Sequence, residues 1–258
     1  MSVEKSLRAT AAAFAAVAAL CLTSLLPTAC VAAPRVKLVV TPRPIPGFAA
    51  TGDRLGAGAE VETKVTITGD EYDAAPSPLV GIEFAAPAGV AIDPAGFASC
   101  SIAALEESGV TACPRRSLAG PPGEGLGIVS FGGSRVYEKV KINSVFAASG
   151  GLTFFVEGDS PAFFQIPEKS HWLMAAPPYG PELVIEVPLV ETLPGAPDAS
   201  VLSFKVTIGA AYRRHGRTVS YLTLPPRCPR GGAPLRMQLK FLSGETTTVG
   251  FKQPCPKR

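Results

Sequence analysis

The sequence predicts an all-β protein, and three observations carry that prediction. Glycine and proline number 26 each among 258 residues, so helix-breaking residues interrupt the chain too often for long helices. Apolar and polar residues alternate repeatedly, most clearly where Val61, Val65 and Ile67 are interleaved with Glu60, Glu62, Lys64 and Thr66. That is the period of a strand with one wet face. Similar alternation recurs at 136–142, 152–156, 183–187, 202–208, 219–224, 237–241 and 247–251, with turn residues between nearly all of these runs. Only one segment carries helix signals: Ser101 can cap 102–107, and Gly109 can take the left-handed position beyond its end. Strands joined by tight turns, with no helix long enough to cross between parallel strands, point to an antiparallel β-sandwich. Two packed Ig-like or jelly-roll-like units with one short helix near 101–107 are expected, and a closed barrel is the runner-up.

Residues 1–33 read as a secretory signal peptide. Lys5 and Arg8 form a basic start, and the uncharged run 11–26 ends at Pro27 and is short for a membrane span. Small residues through Ala33 allow cleavage that releases a chain beginning close to Pro34. The competing reading makes Cys30 the lipid-modified first residue of a lipoprotein, although Pro27 stands where an acylation signal usually carries Leu. After the signal, 34–58 reads as an edge strand and a Pro/Gly-rich linker, 59–133 as a first β unit and 134–258 as a second. No transmembrane segment is expected after cleavage, and the protein is placed outside the cell or on its surface.

Cysteine usage agrees with export, because setting aside Cys21 and Cys30 leaves Cys100, Cys113, Cys228 and Cys255. Three pairings are open on paper; proximity favours Cys100 with Cys113 and Cys228 with Cys255. No CxxC pair exists, and His171 and His215 lie far from the cysteines in sequence, so a zinc site is not expected.

Charge is uneven along the chain. Residues 35–133 hold eleven acids and seven bases, 134–258 hold nine and fifteen, and from Lys205 onward eleven bases face one acid, Glu245. The bland explanation is the wet faces of antiparallel strands. The sharper one is an anionic cell-envelope polymer or another surface protein as partner, engaged by Arg213, Arg214 and Arg217 around a hairpin tip at His215-Gly216. Basic residues without interleaved aromatics argue against nucleic acid.

Chemistry is sparse. Hydrolase triads need a positioned base, nearly always His. His171 precedes Trp172 in what reads as a strand, where a half-buried structural role is expected, and His215 sits in the polar turn. No Gly-x-Ser-x-Gly elbow is present. Glu157 and Asp159 could form a glycosidase pair, but Gly158, Ser160 and Pro161 around them signal a turn. Asp70, Glu71 and Asp73 cluster oxygen ligands without calcium-loop spacing, and read as a solvated acidic turn. Gly123, Gly125 and Gly127 lack the Lys and following helix of a phosphate loop, and read as a flexible connector. Among the aromatics, Phe163, Phe164 and Trp172 are expected mostly in the core, and Tyr179, between Pro178 and Gly180, exposed. No catalytic residue, metal or cofactor is assigned.

The run Ala86-Pro87-Ala88-Gly89, then Pro94-Ala95-Gly96-Phe97-Ala98-Ser99-Cys100, Leu105, Gly109, Cys113-Pro114 and Ser117-Leu118-Ala119-Gly120 resembles a segment of uncharacterised secreted, disulfide-containing β-rich proteins of high-G+C actinobacteria. The later stretch, Phe204 to Gly209, Arg214 to Gly216 and Thr223 to Pro229, resembles their closing part. The resemblance implies export, disulfides and a β-rich fold, and supplies no catalytic residue. The function expected is a non-enzymatic structural or adhesive protein of the cell envelope or extracellular space, with a binding module for an anionic envelope polymer as alternative and a secreted hydrolase third.

Overall fold

The computed structural model describes residues 33–45, 56–131, 134–191, 195 and 197–254. The segment 1–32, with Cys30, most of the linker and Cys255 lie outside the described residues. Strands account for most of the chain: β1 (Arg35–Pro44), β2 (Ala59–Thr68), β3 (Leu79–Pro87), β4 (Ala91–Ile92), β5 (Gly123–Phe131), β6 (Ser134–Phe146), β7 (Leu152–Gly158), β8 (Phe164–Met174), β9 (Tyr179–Glu186), β10 (Ser200–Ile208), β11 (Ala211–Arg214), β12 (Arg217–Ser220), β13 (Leu222–Thr223), β14 (Ala233–Phe241) and β15 (Thr246–Gln253). The helix α1 (Ile102–Ser108) starts where the Ser101 side chain accepts a bond from the Ala104 N–H, and ends at Gly109 with φ of 64°.

Eleven strands form one antiparallel sheet in the order β1, β2, β10, β5, β6, β7, β8, β9, β3, β14, β15. The two terminal strands approach each other, and the Thr247 hydroxyl donates to the carbonyl of Pro34 at 2.8 Å. The sheet is thus nearly closed into a barrel. Where a sandwich of two units is expected from the sequence, the registers describe this single sheet, and the expected boundary at 133/134 falls at the tip of the β5–β6 hairpin, between Phe131 and Ser134. Alternation reads the same whether an inner face looks onto a second sheet or across a lumen, so it does not separate the two.

The registers define two ends. At the upper end lie the connections β2–β3, β5–β6, β7–β8, β9–β10 and β14–β15. At the lower end lie the two long excursions, 88–122 and 209–232. These excursions plug the lower end: Tyr221 is fully buried, its ring centroid is 4.6 Å from that of Phe146, and Phe97 lies 4.7 Å from Phe146. The segment 219–224, read as one strand, is two short ones, because Tyr221 turns inward between them and the Ser220 hydroxyl bonds the Leu222 carbonyl.

The segment with Gly123, Gly125 and Gly127 is not a connector but strand β5, held between β10 and β6. A Cβ on Gly125 would stand 2.7 Å from Cγ2 of Val140. Glycine here answers close approach across the sheet, the other meaning of a glycine in a strand.

Cys100 and Cys113 form a disulfide with Cα atoms 5.3 Å apart. It clamps α1, whose Leu105 packs with Val145 and Phe155 on the outside of the sheet. Cys228 is disulfide-bonded, while Cys255, its expected partner, lies outside the described residues. With its ends 13 positions apart in sequence, the Cys100–Cys113 bridge should contribute roughly 3 kcal/mol by restricting the unfolded chain. The double variant Cys100→Ser/Cys113→Ser should lose about that much in urea denaturation; an unchanged midpoint would count against a structural clamp.

Candidate functional site

The inside of the curled sheet makes room for a ligand. Two cavities occupy it, of about 130 and 120 Å³. The first lies toward the upper end among Val140, Val156, Phe164, Ile166 and neighbours, and the second toward the lower end beside Trp172 and Leu222. They share Ile82, Phe154, Ile185, Phe204 and Val206 as a common wall. Nearly all lining atoms are apolar.

Most of the polar lining lies in the upper cavity. Strand β8 sends Phe164, Ile166 and Glu168 into it, following the two-residue period. Glu168 stands opposite the buried Phe154 of β7. Its carboxyl is surrounded by protein, and its residual exposure fits a surface facing the cavity. Burial pushes its pKa up to about 8, since a low-dielectric surrounding penalises the charged form. Glu138, from β6, is also buried, but its two oxygens accept bonds from the backbone N–H groups of Ser160 at 3.2 Å and Ala162 at 3.0 Å. It holds the β7–β8 connection. Ser200, at the start of β10, is 1% exposed, and its hydroxyl has no hydrogen-bond partner among the described residues. Such orphaned groups cost of order 1–3 kcal/mol.

At the lower cavity the Trp172 indole N–H donates to the Tyr221 hydroxyl at 2.8 Å. Burial pushes the Tyr221 phenol up to about 12, against the opposing effect of this bond. The pair anchors the plug and offers no acid–base chemistry near neutrality.

The expected site residues separate in space. Arg213 and Arg214 are exposed on a hairpin whose turn residues His215 and Gly216 both have positive φ, 48° and 76°. This is the two-residue turn that matches strand twist. Arg217 sits across from Arg214 in the register. His171 is exposed rather than half-buried, and Tyr179 is half-buried beneath the Arg236 guanidinium, 4.9 Å from its ring centroid. Neither histidine lines a cavity. Glu157 accepts a bond from the Asn143 amide at 2.7 Å, while Asp159 is exposed at the strand's end. Glu71 accepts from the N–H groups of Asp70 and Ser77, so it ties its own loop together.

Sequence reasoning missed Glu168. The signal was there: Phe164, Ile166, Glu168, Ser170 and Trp172 share one strand phase, but Pro167 interrupts the pattern at 164–174. No family model, curated protein or solved structure matches the chain.

The Glu168 carboxyl makes stability depend on pH. The unfolded chain loses this proton near the ordinary carboxylate value, whereas the folded protein keeps it until about pH 8. Between those values the native state binds more protons than the unfolded one, so stability falls as pH rises through the window and levels off above it. Glu168→Gln should leave stability near pH 4 almost unchanged and raise it above pH 8 by an amount on the order of 5 kcal/mol. Parallel denaturation curves for the two proteins at every pH would contradict this.

Proposed function

We propose that the protein is an exported, non-enzymatic carrier that holds a small apolar molecule inside the curled sheet. The observation that carries this reading is the pair of adjoining apolar cavities. At about 24 cal/mol per Å³, each unfilled cavity costs on the order of 3 kcal/mol, a large part of a typical stability of roughly 5–15 kcal/mol. A purely structural or adhesive role at the envelope leaves that cost uncompensated, whereas an occupant offsets it. The size suits a small molecule: an apolar cavity of about 150 Å³ takes up benzene. Export is supported by the signal-like segment 1–33 and by the Cys100–Cys113 disulfide, a bond that oxidising compartments preserve. No helix among the described residues is long and apolar enough to cross a membrane. The resemblance to secreted β-rich actinobacterial proteins suits either free secretion or an anchor at Cys30.

A second reading, binding of an anionic envelope polymer, is supported at the β11–β12 tip. Several bases elsewhere are paired across the sheet: Lys205 with Glu124 at 2.7 Å, Arg236 with Glu182 at 2.8 Å, and Lys240 with Glu83. Arg213 and Arg214 make no such ion pair among the described residues and stand in solvent.

Titrating the isotope-labelled protein with benzene should give saturable shifts of the Val140, Val156 and Ile166 methyl signals. Val156→Phe, which fills the upper cavity, should remove them while the fold persists. Unsaturable shifts in the parent protein would reject the carrier reading. Replacing Arg213, Arg214 and Arg217 together by Ser should leave the thermal midpoint nearly unchanged and weaken salt-sensitive retention on isolated cell wall; equal retention at every salt concentration would reject the polymer reading at this tip.

A further inference from the structure

Resting on the carrier reading, we infer that the upper cavity selects an apolar amine, whose cationic head pairs with Glu168 while its hydrocarbon body lies among Val140, Val156 and Ile166. Charge complementarity argues for this class. Two carboxyl groups, Glu138 and Glu168, line the upper cavity, and no Lys, Arg or His lines either cavity. Of the two acids, Glu138 already receives two backbone N–H bonds. Glu168 takes part in no ion pair within 4.0 Å among the described residues. A carboxylate or phosphate head would enter a chamber that holds acids and offers no cation.

Ser200 supplies the second, independent observation. Its hydroxyl is buried, lines the same cavity and lacks a partner, although buried hydroxyls are ordinarily satisfied. An ammonium has three N–H donors. One can bond Glu168, and the Ser200 hydroxyl is a further polar group of the same cavity that the apolar wall leaves without a partner. A neutral alcohol of the same length offers only one donor and no charge. Hydrogen bonds to charged groups are the stronger kind, so the amine gains more at Glu168 than the alcohol does.

Protonation distinguishes the ligands further. Burial keeps Glu168 neutral until about pH 8, and pairing with an ammonium requires the carboxyl to release its proton. Amine binding below that pH therefore expels a proton and strengthens as pH rises, approaching tenfold per unit. Glu138 is the other titratable group facing the cavity. Its oxygens are already engaged by two backbone N–H groups, which leaves Glu168 as the acid available to the ammonium.

The experiment compares hexylamine, hexanol and hexanoate by calorimetry on the mature, disulfide-intact protein, in two buffers of different ionisation enthalpy. The expected order is amine, alcohol, hexanoate, with the amine tighter than the alcohol by about tenfold or more near pH 8. Proton release should accompany the amine near pH 7 and be absent for hexanol. Glu168→Gln should bring the amine down to the level of the alcohol and remove the proton release. Hexanol binding with no preference for the amine would overturn this inference and leave the carrier reading standing. Binding of none of the three would overturn both. A preference that survives Glu168→Gln would assign the head group elsewhere and refute the role given to Glu168.

Discussion

The meeting of β1 with β15 is the constraint from which the rest of the structure follows. An open sheet of eleven strands would leave two edges and one broad apolar face exposed, and strongly twisted sheets of this size curl or split. Here it curls until the ends touch through Thr247 and the Pro34 carbonyl. Prolines Pro42 and Pro44 lie on the terminal strand β1, where a missing N–H interrupts no further ladder. Curling has a geometric consequence. About eight strands give a barrel interior that side chains just fill, so eleven enclose more space than their inward residues occupy. The apolar clusters around Tyr221 and around Leu239 fill the two regions that they reach, and the cavities are what remains.

Placement of polar groups follows from the same geometry. Strand alternation sends every second residue inward, and an acid in that phase has no solvent to return to. Glu138 resolves this by capping the backbone of the β7–β8 connection. Glu168 resolves it by retaining its proton. Two chemically identical side chains thus end in different states, one engaged with fixed N–H dipoles and one neutral and available. The difference lies in what each strand's neighbour offers, a loop in one case and apolar walls in the other.

How much of this was legible in the sequence depended on the range of the signal. Strands with one wet face announced themselves, as in β2, β6, β14 and β15. The Ser101 cap and Gly109 end of α1, the His215-Gly216 turn and the Cys100–Cys113 pairing were also legible, because each is written within a few residues. Three central strands were obscured for identifiable reasons. β3 carries apolar residues on both faces, β5 looks like a linker because close packing demands glycine, and β8 contains Pro167. The order of strands was not legible at all, since pairing β10 with β2 and β5 joins segments that nothing local relates. Glu168 stayed hidden with β8: without the strand there is no phase, and without the phase an acid between Pro167 and Lys169 looks solvated.

The imbalance of charge along the chain shows how sheet order changes the meaning of a sequence pattern. The bases after Lys205 have almost no acids near them in sequence, yet Lys205, Arg236 and Lys240 pair with Glu124, Glu182 and Glu83 of other strands. The outer wall is therefore a mixed surface, while Arg213 and Arg214 stand in solvent with no ion pair among the described residues. Between that hairpin and the upper cavity stands the aromatic layer of Phe97, Phe146 and Tyr221, tied to the wall by the bond from Trp172. This layer stands between an apolar interior that holds two acids and a basic, solvated tip.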